Sequence, residues 1–152
     1  MTILYEGFGN VLTHKSQTIT VPVNCMGVMG RGLALSFRNR VQGLNDRYKE
    51  MCEVGSLSIG RLNIYQDPDP QHPRQILLFP TKEHFKNPSQ MEFIEKGLQD
   101  LVSRYQDLGI EELALPALGC GLGKLDYVKN VRPMMVDYLN QIDIPVYILL
   151  RS

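Results

Sequence analysis

Net charge is absent from this chain of 152 residues, in which 16 lysines and arginines balance 16 aspartates and glutamates. Proteins that coat nucleic acid without sequence preference are usually strongly basic, so the balance argues against that class while allowing a local basic rim. No apolar run approaches the roughly 20 residues of a membrane-spanning helix, and the N-terminal MTILYEGFG lacks the features of a signal peptide. We therefore expect a cytoplasmic protein with no membrane partner.

Cysteine is scarce, with three residues scattered at Cys25, Cys52 and Cys120. An odd number of scattered cysteines suits a reducing compartment. The sequence contains no C-x-x-C zinc pattern and no other ligand cluster, so we expect neither a metal nor a cofactor. Cys25 and Cys120 each lie in a glycine-rich segment and could meet a ligand or each other. A nucleophilic thiol needs a partner base, and no histidine belongs to a recognisable cysteine-protease signature, which disfavours a catalytic cysteine.

Strand-like and helix-like patterns alternate along the chain. With 43% hydrophobic residues, residues 1–152 are expected to form one domain that buries about two-thirds of its unfolded surface. The alternation predicts a three-layer α/β/α sandwich on a mixed central sheet. The predicted strands are 2–5, 18–24, 61–66, 75–80, 113–116 and 145–150, and the predicted helices are 32–39, 45–54, 89–108 and 130–141. The clearest helix begins at a predicted capping box formed by Ser89 and Glu92.

The segment VPVNCMGVMGRGLAL, residues 21–35, combines a strand end, a glycine-rich loop and a helix start. Glycines let backbone amides approach an anion closely, and a helix N-terminus adds a partial positive charge. The spacing matches neither the dinucleotide fingerprint G-x-G-x-x-G nor a P-loop. The segment therefore predicts a different phosphate-binding turn, with an ordinary strand-to-helix turn as the alternative.

A second glycine loop occurs in ELALPALGCGLGKLDY, residues 112–127, again at the exit of an apolar strand. Ligands of open α/β sheets bind at the carboxyl ends of the strands, so two such loops can close on one ligand from both sides. Either loop alone is compatible with an ordinary turn, but the pair favours a binding site.

Three segments together resemble a known family: VNCMGVMGRGLALSF, LLFPTKEHF and ALPALGCGLGKLDY. They are similar to the macrodomain, the ADP-ribose-binding fold, over essentially the whole chain. The lysine of FPTK and the run GCGLG-x-LD resemble the branch that contains the DarG antitoxin and the human terminal ADP-ribose glycohydrolase. The resemblance implies a macrodomain sandwich that holds ADP-ribose across the strand ends, with the diphosphate between the two glycine loops.

The resemblance also implies which residues bind the nucleotide. The typical family aspartate that holds adenine is replaced here by Asn10 in Gly9-Asn10-Val11, so we expect altered or backbone-made adenine recognition. Gly123 stands where the terminal glycohydrolase carries a catalytic aspartate, and Asp126 is a weak substitute for it. The residues expected to bind ADP-ribose are Asn10, Val11, Gly27, Val28, Met29, Gly30, Gly32, Leu118, Gly119, Cys120, Gly121, Leu122 and Gly123.

Two residues are expected to be catalytic, Asn24 and Lys82. Asn24 offers an amide donor and acceptor that suit a ribose diol, although a strand-terminal asparagine can instead bond its own loop. The Lys82 amine could attack C1″ of the distal ribose, donate a proton or stabilise charge, and the sequence leaves these roles open. Without the resemblance, Lys82 would be assigned to the solvated surface. His84 is a further acid/base candidate.

The function implied by the resemblance is an ADP-ribosyl glycohydrolase that releases ADP-ribose from thymidine in single-stranded DNA. Arg31, Lys86 and Lys124 could then meet DNA phosphates or remain solvated. A DarT-like toxin ADP-ribosyltransferase is the implied partner, ADP-ribosylated protein is a further possible substrate, and we expect a monomer. Two alternatives stay open: an enzyme acting on ADP-ribosylated acidic side chains, O-acetyl-ADP-ribose or ADP-ribose 1″-phosphate, and a non-catalytic ADP-ribose reader.

Overall fold

The computed structural model describes residues 3–151, in which a six-stranded sheet lies between helices. The strands are β1 (Ile3–Phe8), β2 (Thr18–Asn24), β3 (Asn63–Gln66), β4 (Gln75–Lys82), β5 (Leu113–Pro116) and β6 (Pro145–Leu150). The helices are α1 (Gly32–Arg40), α2 (Leu44–Glu53), α3 (Met91–Arg104) and α4 (Arg132–Leu139), with a 3-10 turn at Val11–Thr13 and a π-helical turn at Tyr127–Val131. The sheet order is β1-β6-β5-β2-β4-β3; β3 is antiparallel to β4, and the other neighbours are parallel.

Two hydrophobic clusters cover the two faces of the sheet. Successive side chains of a strand point to opposite faces, so Leu77 and Phe79 of β4 join the cluster that contains α3 and α4. Ile76 and Leu78 join the cluster that contains α1 and α2. All four side chains are fully buried. This arrangement confirms the predicted α/β/α sandwich with a mixed sheet.

The parallel direction of the strands determines where the site lies. The strands β2, β4 and β5 all end at the same edge of the sheet, and both glycine loops begin there. Asn24 of β2 lies opposite Lys82 of β4, after a shift in register between Val23 and Asn24. The fold therefore brings the two residues expected to be catalytic into neighbouring positions.

Several element bounds differ from the sequence expectation. The predicted first strand, 2–5, ends too early, because β1 continues to Phe8 through its parallel pairing with β6. Residue 2 lies outside the described part of the chain. Likewise β4 extends past Pro80 to Lys82, where it pairs with β2. No helix within residues 3–151 is long and apolar enough to cross a membrane.

The start of α3 also differs, since the predicted capping box does not form. The N-cap residue is Gln90, and no side chain caps the helix. Ser89 instead donates its main-chain N–H to the Gly123 carbonyl at 3.0 Å, which ties it to the second glycine loop. A tertiary contact thus replaces the local motif that the sequence favours.

Candidate functional site

Asn24 organises the first glycine loop from the end of β2. Its Nδ2 donates to the Val28 carbonyl at 2.7 Å, and its Oδ1 accepts from the Met26 amide at 2.9 Å. The buried Tyr48 hydroxyl lies 2.6 Å from the Asn24 carbonyl oxygen and 2.8 Å from Oδ1. Burial raises the pKa of Tyr48, so its hydroxyl stays protonated and can donate. The loop-bonding alternative for Asn24 is therefore present, and a ribose contact through its second amide proton stays a prediction.

The first loop leaves backbone donors open at the start of α1. Gly27 and Gly32 have positive φ angles of 79° and 56°, which favour glycine at these turns. Arg31 occupies the N-cap without a side-chain hydrogen bond, and the first turn of α1 contains no acidic residue. Within residues 3–151, the amides of residues 29–32 have no hydrogen-bond acceptor. These features suit an anion at a helix N-terminus.

The second glycine loop is tightly wound. The Leu125 amide donates to the Gly119 carbonyl at 2.9 Å, and the Lys124 amide donates to the Gly121 carbonyl at 3.1 Å. A Cβ atom at Gly123 would overlap the Gly119 carbonyl and Ser89 Oγ, whereas one at Gly121 would meet nothing within 4 Å. In the described part of the chain the amides of residues 121–123 have no acceptor. The loop therefore combines a rigid turn with open donors beside free space.

Three segments meet at the carboxyl ends of the parallel strands: the first glycine loop, the second glycine loop and residues 83–89. The space between them is called the cleft. A Cβ atom at Gly32 would lie 3.1 Å from Leu122 Cδ1, so the two glycine loops are close neighbours. The rim segment, residues 83–89, connects to both loops. At one end the Cys25 amide donates to the Glu83 carbonyl at 3.2 Å, and at the other the Ser89 amide bonds Gly123.

Lys82 is the last residue of β4, at this end of the sheet, and lies near other cations. Its side chain is partly exposed, and no carboxylate within residues 3–151 lies within 4 Å of its ammonium. Partial burial lowers the pKa of Lys82, and the positive charges of Lys124 and Arg31 lower it further. The structure thus brings three cations together beside open amides. The arrangement favours an anionic ligand and a lysine that loses its proton more readily than usual.

The remaining polar candidates each hold a local turn. Asn10 Oδ1 accepts from the Leu12 amide at 3.0 Å and caps the 3-10 turn that begins with the buried Val11. Asp126 Oδ1 accepts from the Lys129 amide at 3.0 Å and caps the π-helical turn. These bonds explain the positions of the side chains, and their roles toward a nucleotide stay predictions.

His84 contributes to the rim segment. Its Nδ1 accepts from the Lys86 amide at 3.1 Å, and its ring stacks on Phe85 with 4.4 Å between centroids. An acid/base role for His84 stays a prediction.

The three thiols are held in their neutral form. Burial raises the pKa of Cys52 and of Cys120 to about 11 each, and it also raises the pKa of Cys25. Cys52 lies near Cys25, whereas Cys120 lies near Asp126, whose negative charge raises the pKa of Cys120 further. A protonated thiol is a poor nucleophile. In the part that the structure describes, no group of three potential ligands could hold a metal ion.

Two site residues escaped the sequence analysis. Tyr48 falls within the predicted helix 45–54, and no sequence signal links it to Asn24. Ser89 was assigned to a helix cap, yet its Oγ is buried beside Gly123 without a hydrogen-bond partner. Both roles depend on contacts between segments that are distant in sequence.

Comparison with known proteins matches the part of the chain that contains the candidate site. The family model described as Macro domain matches residues 21–134, which include both glycine loops and Lys82. The DNA ADP-ribosyl glycohydrolase of Thermus aquaticus is 39% identical over 141 residues, which are 91% of this chain and 39% of that protein. The chain therefore spans about two-fifths of the length of this curated relative.

Solved structures of macrodomains have the same fold as this chain. The macrodomain of Mycobacterium tuberculosis DarG has a TM-score of 0.92 and 33% identity, with 100% of both chains covered. Thermosipho africanus DarTG in complex with ADP-ribose has a TM-score of 0.86 and 39% identity, with 93% of this chain and 40% of that chain covered.

Proposed function

This chain belongs to the macrodomain family, and from that premise we propose that it is an ADP-ribosyl glycohydrolase acting on thymidine-linked ADP-ribose in single-stranded DNA. The observation that carries the proposal is the position of Lys82, partly buried opposite Asn24 and without a carboxylate partner in residues 3–151. The name of the Thermus aquaticus relative supports DNA as the source of the ADP-ribose.

Binding would use charge complementarity between the cleft and the diphosphate. A diphosphate carries two negative charges, and the open amides of residues 29–32 and 121–123 offer donors on two sides of it. The distal ribose then extends toward Asn24 and Lys82. The thirteen loop and N-terminal residues named above as ADP-ribose-binding belong to this proposal.

The reaction would exchange a bond between C1″ and a base nitrogen for a bond to water oxygen. In the proposed step, the neutral Lys82 amine attacks C1″, and the electron pair of the broken bond leaves with the thymine, which takes a proton from water. The hydroxide left by that proton transfer then displaces the Lys82 amine from C1″, which gives free ADP-ribose and returns the amine to its neutral form. Burial and the neighbouring cations favour the neutral amine that the step requires. Asn24 would orient the ribose.

The test uses three substrates: an ADP-ribosylated thymidine oligonucleotide, an ADP-ribosylated protein and ADP-ribose 1″-phosphate. We expect turnover of the oligonucleotide by the wild type, loss of at least 100-fold in rate for Lys82→Ala (~3 kcal/mol), and unchanged affinity for ADP-ribose by calorimetry. Lys15→Ala is the matched control, because it removes the same charged group from an exposed position before β2, away from the cleft.

The other outcomes separate the alternatives. Turnover of only the protein or only the phosphate would contradict the DNA substrate and favour a different enzyme on this fold. Binding without turnover of any substrate would favour an ADP-ribose reader. A DarT-like ADP-ribosyltransferase as partner, a cytoplasmic location and a monomeric state complete the proposal.

A further inference from the structure

The rim segment exposes an aromatic ring beside the cleft. Phe85 is 42% exposed, whereas Phe37, Phe79 and Phe93 are buried; Phe8 at the end of β1 is also exposed, at 74%. One side of the Phe85 ring is covered by His84, with 28° between the ring planes, and the Lys86 ammonium lies 5.9 Å from its centroid. A single exposed apolar ring is ordinary on a protein surface. Phe85 differs because a histidine ring stacks on it and because it lies in the segment that joins both glycine loops.

The connections of the rim segment fix this ring close to the reacting group. Its first residue follows Lys82 directly, and its ends bond the first glycine loop at Cys25 and the second at Gly123. A nucleotide held between those loops would therefore present its acceptor toward the rim segment. The position of the ring is set by main-chain hydrogen bonds at both ends.

The charges around the ring suit a single strand of nucleic acid. Lys86 belongs to the rim segment. Arg31 and Lys124 lie close enough to Lys82, the residue before that segment, to lower its pKa. Glu83 is the single acid among residues 83–89. Proteins bind single strands by stacking bases on aromatic rings and by placing cations along the backbone.

We propose that Phe85 is a specificity-determining residue on which the acceptor thymine of a single DNA strand stacks, while Lys86 meets an adjacent phosphate. This inference rests on the proposed function, because it assigns the acceptor side of the same cleft. The ring would contact the thymine and not the ADP-ribose. It would therefore select for the acceptor and leave the affinity for free ADP-ribose unchanged.

The binding test exploits the absence of tryptophan from the chain. Phe85→Trp introduces a single indole whose fluorescence would be quenched by a stacked base. We expect single-stranded oligothymidylate to quench it in the presence of saturating ADP-ribose. Gln71→Trp is the matched control, because Gln71 is exposed in the loop between β3 and β4, at the opposite edge of the sheet, and should show no quenching.

The kinetic test compares Phe85→Ala and Phe85→Tyr with the wild type. We expect Phe85→Ala to lower kcat/KM for the ADP-ribosylated oligonucleotide about tenfold, as for loss of one stacked base, with ADP-ribose affinity and melting temperature unchanged. The tyrosine variant should retain most of the activity. A purely structural role would instead weaken ADP-ribose binding as well.

The possible failures are distinct. Full oligonucleotide turnover by Phe85→Ala, or no quenching of Phe85→Trp, would overturn the stacking role and leave the proposed function intact. Quenching without turnover by the wild type would overturn the proposed function and support the base-binding role of the ring.

Discussion

Gly123 is a residue at which no side chain fits, because Ser89 Oγ and the Gly119 carbonyl occupy the space that a Cβ atom would need. Gly123→Ala should therefore distort the second glycine loop and destabilise the protein by about 1–3 kcal/mol, the usual cost of overpacking. Thermal unfolding and ADP-ribose titration would measure both effects. Gly121→Ala is the control, since its methyl group meets nothing within 4 Å, and we expect its melting temperature to stay near that of the wild type.

The lowered pKa of Lys82 gives a second prediction, which concerns pH. In the proposed step the neutral amine attacks, so the rate should rise as the pH rises through the depressed pKa and then reach a plateau. The pH–rate profile of single turnovers would measure this, with borohydride used to reduce the ring-opened imine form of the Lys82 adduct and so trap it. A rate that falls over the same range would indicate that the ammonium acts as a proton donor.

The sequence was enough to single out Lys82 and Ser89, but it could not show which residues lie next to them. Lys82 stands two residues beyond the predicted strand 75–80, but its register opposite Asn24 follows from the pairing of β2 with β4. The position of Ser89 illustrates the same limit, because its main-chain bond to Gly123 spans two loops that no local pattern relates.

At the scale of elements, α3 packs unusually close to β4. A Cβ atom at Gly97 of α3 would overlap the ring of Phe79, so glycine allows the helix to approach the sheet. We expect Gly97→Ala to lower the free energy of unfolding by about 1–3 kcal/mol, because overpacking outweighs the higher helix propensity of alanine. Denaturant titration would measure the change, with Gly7→Ala, whose surroundings are open, as control. A more stable Gly97→Ala variant would contradict this close packing.

Elements bounded by buried apolar runs were predicted most accurately. The bounds of β2, β5 and β6 agree with the sequence expectation, because their apolar runs are flanked by clear breaks. The end of β1 was missed because Gly7 and Asn10 suggest a turn, whereas pairing with β6 extends the strand to Phe8. Pairing between distant segments thus overrides local preference at the edges.

At the scale of the whole molecule, ligand binding and stability are linked. A ligand that binds only the folded state stabilises it, by about 2.7 kcal/mol at 100 times its dissociation constant. We expect ADP-ribose to raise the melting temperature of the wild type, to raise that of Gly121→Asn by less, and to leave that of Gly121→Asp unchanged. The two side chains have nearly the same size in the open space at Gly121 and differ in the negative charge placed beside the diphosphate. Equal stabilisation of both variants would contradict a diphosphate at this loop.

Because the parallel strands run in the same direction, the two ends of the sheet carry different loops. The proline-rich loop at residues 67–73 joins β3 to β4 at the edge where the parallel strands begin, far from the strand ends that carry the cleft. A fluorophore or a surface-immobilisation handle attached to this loop should leave the catalytic entrance unobstructed. The molecule can therefore be tethered at one end while the proposed DNA substrate approaches the other.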